Sequence, residues 1–314
     1  MDSLYTHLKQ FGHVKPNAAL AKLTTFHIGG QVQFLIQVTE TEKVVELLNF
    51  LTGEGIPYFI LGGGSNTIWQ DDLYEGVVIK MQNATIKNQN DTISADAGAP
   101  LAAVVTNFMQ NSLSGMEWAA GVPGTVGGAV RGNAGAMDSD TSRSVEKIVV
   151  WRDGEVVELK PEECGYGYRE SIFKHNQDIV LQAVYKTKPG DKKEILKHIQ
   201  ENIKGRNGKY PAKPSAGSFF KNVDFKDWKG DLAKLPEHFS KAQKVPAGWI
   251  NEQNGLKGFQ IGGAMISKEH GNFLINFTGE ATQADVIALK EEAQKRAMEN
   301  FGVELEPEVV IVEL

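Results

Sequence analysis

Apolar residues recur along this chain with two different periods, and the changes of period mark out its elements. Val44, Val45, Leu47, Leu48 and Leu51 fall on one helical face, with Thr39 three residues ahead of Glu42 predicting a capping box and Gly53 predicting the end. The apolar run at residues 56–61 predicts a buried strand, and residues 77–81 predict another. Asn90-Asp91 separates two short strand candidates, and Pro100 opens a helix that runs to Asn111. Asp153-Gly154 joins residues 145–151 to 155–159 as a hairpin, and residues 179–186 have strand character. Ile195, Leu196, Ile199 and Ile203 then define one apolar face of a helix over 192–204. Beyond Gly205 the chain is loop-like to Gly217, after which strands are expected over 258–266 and 272–277. A helix from Ala284 to about Asn300 is punctuated by Gly302, and residues 308–314 read as a final strand. Helices and strands in this irregular order make an α+β chain of three lobes, and no fixed-period repeat points to a solenoid.

Composition narrows the possibilities. With 314 residues, 41% of them hydrophobic, the chain has material for two or three domains with sizeable cores. No window approaches 18 uninterrupted apolar residues, and the first residues lack a charged segment followed by an apolar core, so neither export nor membrane insertion is expected. Cys164 is the single cysteine, which fits a reducing cytoplasm and reads as a small buried hydrophobe. A net charge of −6 argues against non-specific nucleic-acid binding. Residues 203–223 nevertheless carry Lys204, Arg206, Lys209, Lys213 and Lys221 with no Asp or Glu, a segment suited to selecting an anionic substrate.

Two glycine clusters carry the chemistry. One spans residues 119–136 and includes Gly121-Val122-Pro123-Gly124-Thr125-Val126-Gly127-Gly128; the other, Gly62-Gly63-Gly64-Ser65-Asn66, follows a predicted strand. Such runs let backbone approach a large ligand and expose N–H groups to phosphate, which points to a dinucleotide cofactor. Neither has the G-x-G-x-x-G spacing of a Rossmann turn and no P-loop occurs, so the phosphate-binding logic belongs to another fold. The histidines show no metal-ligand spacing, and no metal is expected.

Read in order, Thr24-Thr25-Phe26-His27-Ile28-Gly29-Gly30, the two glycine clusters and Gly132-Asn133-Ala134-Gly135-Ala136 resemble the signatures of the MurB family, the UDP-N-acetylenolpyruvoylglucosamine reductases. The resemblance continues in family order through Gly165-Tyr166-Gly167-Tyr168-Arg169-Glu170-Ser171-Ile172-Phe173, Ala216-Gly217-Ser218-Phe219-Phe220-Lys221-Asn222, Ala247-Gly248-Trp249, Gly255-Leu256-Lys257-Gly258 and Leu305-Glu306-Pro307-Glu308-Val309. It departs at His27, where Arg or Lys is more usual, and at Thr67-Ile68-Trp69, where smaller aliphatic residues are more usual. The short connection at Pro189-Gly190 resembles the branch that lacks an inserted, Tyr-bearing substrate loop.

The resemblance implies an FAD-binding fold of the vanillyl-alcohol-oxidase (PCMH) type, with lobes at 1–85 and 86–204, a substrate domain at 205–301 and a strand at 302–314 returning to the active site. It implies an enzyme that uses FAD and NADPH to reduce the enolpyruvyl ether of UDP-N-acetylglucosamine to UDP-N-acetylmuramate, in the synthesis of peptidoglycan precursors. Matched residue by residue, Ser218 becomes the proton donor to C2 of the substrate, with Arg169 and Glu308 completing the catalytic set. Gly62, Gly63, Gly64, Ser65, Asn66, Gly121, Val122, Pro123, Gly124, Thr125, Gly128 and Arg206 become flavin contacts. Tyr168, Lys209, Asn222, Lys244 and Gln260 become contacts to the UDP-sugar. The expected partner is that small molecule alone, with no nucleic acid or membrane, and the expected state a cytoplasmic monomer.

On the residues alone the alternatives stay open. Ser218 is equally a turn residue, Arg169 an ion-paired surface side chain and Glu308 a solvated acidic cap. Alternation along the tail places Glu306, Glu308, Val310 and Val312 on one face, so it cannot choose between the two acids. An alcohol oxidase of the same fold with FAD tethered through His27, or a non-catalytic nucleotide-binding module, would share the glycine loops.

Overall fold

Local turn and cap chemistry places most elements of this chain where the apolar pattern expects them. The computed structural model describes residues 2–206, 208 and 210–313. They form two units, each discontinuous in sequence: the described parts of Met1–Ala18, Val32–Gly63 and Glu75–Asn207 make the first, and those of Ala19–Gln31, Gly64–Tyr74 and Gly208–Leu314 the second.

The first unit carries a four-stranded sheet in the order His13–Ala19, Gln31–Val38, Tyr74–Met81, Tyr58–Leu61. The last two strands are parallel, with Leu61 opposite Lys80. Its second sheet has the order Glu155–Leu159, Val145–Arg152, Ile179–Lys186, Thr92–Asp96, Ile86–Gln89, and every pairing is antiparallel. Both tight turns of this sheet use left-handed residues, Asn90 at φ +44° and Asp153-Gly154 at +48° and +95°, which the short polar side chains and glycine tolerate. Val77, Ile79 and Met81 of the first sheet share one buried core with Leu47, Leu48 and Leu51 of the helix Thr41–Gly53 and Ile148, Val150 and Ala183 of the second sheet.

Two local expectations are corrected here. The helix Thr41–Gly53 starts after Glu40, which makes no side-chain cap bond, and the capping box at Thr39 does not form; the Thr41 hydroxyl instead accepts from Asn83 Nδ2 at 2.9 Å. On the helix Lys192–Arg206, Ile195 and Ile199 are buried but Leu196 and Ile203 are each 41% exposed. The apolar stripe is wider than the face it packs.

In the second unit, the strands Gln260–Ile261, Ala264–Ile266 and Leu274–Asn276 form an antiparallel sheet. It shares a core with Val286, Leu289, Ala293 and Ala297 of the helix Gln283–Phe301. A capping box between Thr282 and Asp285 opens that helix and Gly302 at φ +65° closes it. The strand expected over 258–266 is instead two short strands around Gly262-Gly263, because the Asp285 carboxylate also accepts the Gly263 N–H at 3.0 Å and fixes a turn there. The tail strand is Val310–Val312, parallel to Thr67–Trp69. Val312 is the buried residue of this strand and Val309, just before it, is buried too, while Val310 is half-buried, so the expected alternation does not hold.

Candidate active site

In the first unit Gly62 and Gly63 meet the second glycine cluster. A Cβ on Gly63 would lie 2.7 Å from the Gly124 Cα, and one on Gly62 would lie 2.5 Å from the Thr125 Oγ1. At Gly63 backbone touches backbone and at Gly62 it touches the Thr125 side chain, so a side chain at either position would collide. Gly121 at φ +75° and Gly124 at +111° bend the second loop before Val126–Gly132 begins as a helix. Gly124 O accepts from Leu101 N at 3.0 Å, and Gly127 N donates to Ala97 O at 2.8 Å, so the bend is held from one side. The Thr125 hydroxyl is buried among the described residues without a hydrogen-bond partner. A side-chain-free cradle of peptide groups with an orphaned hydroxyl fits a dinucleotide diphosphate. Lys80 adds a cation that the sequence reading missed: its ammonium donates to the Gly62 carbonyl. The signal was a lone lysine inside the run Val77-Val78-Ile79-Lys80-Met81.

Arg169 stands in the same unit at the tip of a tight hairpin in which Gly167 and Glu170 bridge. At φ +55° it occupies a left-handed position that costs an ordinary residue about 1 kcal/mol or more. Two contacts clasp this turn to the Gly132–Ala136 motif, Arg169 Nη2 donating to Gly135 O at 2.6 Å and Asn133 Nδ2 to Gly167 O at 2.8 Å, and Ser171 Oγ donates to the preceding Arg131 O at 2.6 Å. Two motifs far apart in sequence therefore form one structure. Asn133 was not among the expected site residues; it ends the helix Val126–Gly132 at φ +40°, a left-handed position that Asn tolerates. The Tyr168 ring is exposed and lies 5.6 Å from the Arg169 guanidinium. Burial pushes the Arg131 guanidinium below the ordinary arginine range, against the opposite pull of Glu170. Cys164 is fully buried and its thiol is pushed up to about 11 by that burial and by Glu163 and Glu162, which leaves it no role as a thiolate.

Ser218 and Glu308 belong to the second unit. Phe219 and Phe220 follow the serine, both buried and packed edge to face at 5.1 Å. Their backbone is held from two sides. Asn272 takes Phe219 N–H on its own carbonyl at 2.8 Å, while its buried side chain accepts from Phe220 N at 2.9 Å and donates to Phe220 O at 2.8 Å. Opposite, Glu308 N donates to Phe219 O and Lys221 N to Glu306 O, each at 2.8 Å. The Glu308 backbone thus lies beside the residue that follows Ser218. Glu306 is ion-paired with Lys221 at 2.6 Å. Asn66 braces the same segment, donating Nδ2 to Glu308 O at 3.1 Å and accepting Val310 N–H at 3.0 Å.

The expected substrate contacts are placed as follows. Asn222 Oδ1 accepts Ala247 N–H at 3.2 Å, at the start of the helix Ala247–Gln253. Lys244 is paired with Asp224 at 2.5 Å. Gln260 is exposed, with Nε2 donating to Gly262 O at 2.8 Å. Arg206 ends the helix Lys192–Arg206, and Lys209 lies outside the described residues. The departures also find places in this unit: His27 is exposed at φ +57°, and Trp69 is buried with its Cβ 2.7 Å from where a Cβ on Gly29 would sit, so the large indole fills the space the glycine leaves. Among the described residues no helix is long and apolar enough to cross a membrane, and no His, Cys, Asp and Glu cluster is arranged to hold a metal ion.

The cradle and its sheet define a flavin-nucleotide-binding fold, and residues 32–160 match an FAD-binding domain family. Residues 209–312 match the C-terminal domain of UDP-N-acetylenolpyruvoylglucosamine reductases. A Clostridium botulinum protein of that name is 36% identical over 98% of this chain and 96% of its own, and one from Caldanaerobacter subterraneus is 37% identical over 99% and 97%. The crystal structure of the Thermus caldophilus enzyme aligns with a TM-score of 0.76 at 31% identity, covering 96% of this chain and 99% of that one. The chain belongs to the UDP-N-acetylenolpyruvoylglucosamine reductase (MurB) family.

Proposed function

We propose that this chain reduces the enolpyruvyl ether of UDP-N-acetylglucosamine to UDP-N-acetylmuramate with NADPH and FAD, in the cytoplasm, as a step of peptidoglycan precursor synthesis. The observation that carries the reading is the pair of glycine clusters closed on one another, Gly62-Gly63 against Gly124-Thr125, within a chain matched from end to end by reductases of this name. When bound, FAD accepts hydride from NADPH and delivers it to the enolpyruvyl carbon. Gly62, Gly63, Gly124 and the Thr125 hydroxyl would hold its diphosphate. Residues 209–312 would supply the UDP-sugar contacts.

The remaining chemistry falls to side chains. Hydride addition leaves negative charge next to the substrate carboxylate, and a planar, two-pronged guanidinium such as Arg169 suits that charge better than an ammonium. Its Nη2 is anchored on Gly135 O, which fixes where the guanidinium stands. The Ser218 hydroxyl would give its proton to C2, and Glu308, beside the following residue, would polarise that hydroxyl or return its proton. The buried phenylalanines after Ser218 anchor the segment that carries it.

The test is direct. Purified protein incubated with NADPH and the enolpyruvyl sugar nucleotide should yield the lactyl ether, seen as a gain of two hydrogens by mass spectrometry. Acid precipitation should release all yellow colour into the supernatant, because the cradle holds FAD through peptide groups; a yellow pellet would mean a covalent tether instead. In Lys244→Ala, KM should rise by about one to two decades with kcat little changed, as expected for loss of about 1.5 to 3 kcal/mol of charge-assisted binding felt equally before and during reaction. An unchanged KM removes Lys244 from the diphosphate site and leaves it as the partner of Asp224.

A further inference from the structure

We propose that Lys80 is a positioning residue of the flavin cradle, setting the orientation of the peptide that joins Gly62 to Gly63. The proposal rests on the reading of that glycine pair as the diphosphate site. Tyr58–Leu61 and Tyr74–Met81 run parallel with Leu61 opposite Lys80, so the lysine stands beside the point where its neighbour strand ends and the glycines begin. Val77, Ile79 and Met81 belong to the core, and alternation turns Lys80 to the other face. From there its ammonium donates to the Gly62 carbonyl.

A trans peptide is planar, and its C=O and N–H point in opposite directions. Fixing the Gly62 carbonyl on the lysine side therefore fixes the Gly63 N–H on the opposite side. Neither residue has a Cβ to restrict this plane, so in the absence of a restraint it would rotate with little resistance. Gly63 cannot shift towards the second cluster to compensate, because even a Cβ on it would lie 2.7 Å from the Gly124 Cα. The restraint is also charged: a cationic donor makes the stronger hydrogen bond, and positive charge beside the cradle favours a diphosphate. Burial lowers the proton affinity of Lys80 from the ordinary lysine value, the signature of a side chain kept in an apolar strand at some expense.

The experiment compares FAD release from the holoproteins of wild type, Lys80→Met and Lys80→Arg, by diluting each and following the return of flavin fluorescence; thermal melting is recorded on the same samples. Methionine keeps the length and apolar stem but cannot donate, whereas arginine can still reach a carbonyl. Lys80→Met should release FAD at least about tenfold faster than wild type, the scale of one lost charge-assisted hydrogen bond. Lys80→Arg should stay within about threefold of wild type on the same scale. Release from Lys80→Met at the wild-type rate overturns the proposal. So does Lys80→Arg releasing as fast as Lys80→Met, since the position would then matter for its shape and not for its donor. Wild-type protein that retains no FAD overturns the flavin reading itself, and this proposal with it.

Discussion

Ser218→Ala should leave the bleaching of the flavin by NADPH near its normal rate while reoxidation by the enolpyruvyl sugar nucleotide slows by at least about 10², the loss typical of a positioned general acid. Stopped-flow absorbance separates the two half-reactions. The substitution is informative because of how the serine is held. Backbone of Phe219, Phe220 and Lys221 hydrogen-bonds to Asn272 on one side and to Glu306 and Glu308 on the other, and none of these bonds uses the Ser218 hydroxyl. Removing one hydroxyl leaves those bonds in place, so the variant reports chemistry and not refolding of the strand. Slowing of both half-reactions alike would point to a structural defect, and normal reoxidation would remove Ser218 from the mechanism. Arg169→Lys should damage the same half-reaction. A lysine meets the same backbone requirement at φ +55° as the arginine but cannot both reach Gly135 O and present a second, coplanar donor.

The elements of this fold were legible where their determinants are local. Gly302 ends its helix, the helix Thr41–Gly53 stops two residues before the left-handed Gly55, and Asn90-Asp91 and Asp153-Gly154 turn their hairpins, because left-handed and turn geometry are properties of a few adjacent residues. The failures were also local patterns, misread for want of their surroundings. Thr39 looked like a cap until Asn83 bonded Thr41 instead, and Leu196 and Ile203 looked buried because an apolar stripe does not state how much of it a partner covers. The site residues were reached through the order of motifs, whereas the bonds that hold them were not legible at all. Asn66 reaches Glu308, Asn133 reaches Gly167, Asn272 reaches Phe220 and Lys80 reaches Gly62. In each an amide or ammonium meets a main-chain carbonyl remote in sequence, and a carbonyl carries no residue-specific signal by which such a pairing could be read.

Gly63→Val should give protein that folds but purifies nearly colourless, with FAD affinity lowered by about two decades. The first branch atom at this position would lie 2.7 Å from the Gly124 Cα, and that neighbour is main chain, so it cannot rotate aside as a side chain would. Relief requires the two glycine clusters to separate. Overpacking of this kind costs about 1 to 3 kcal/mol, and the upper end corresponds to about two decades in a binding constant. Because Leu101 N and Ala97 O hold the second cluster to the segment that follows the strand Thr92–Asp96, the separation should be taken up in the cradle and not spread through the sheet. Gly53→Ala is the control within the same unit: nothing lies within 4 Å of its added methyl, and the helix end it occupies tolerates alanine. The ratio of flavin to protein absorbance, with melting temperature recorded beside it, decides the matter. Gly53→Ala should match wild type in both; a Gly63→Val protein that keeps a full complement of FAD would show that the closed glycine pair is a packing feature of the unit and that the diphosphate is held elsewhere.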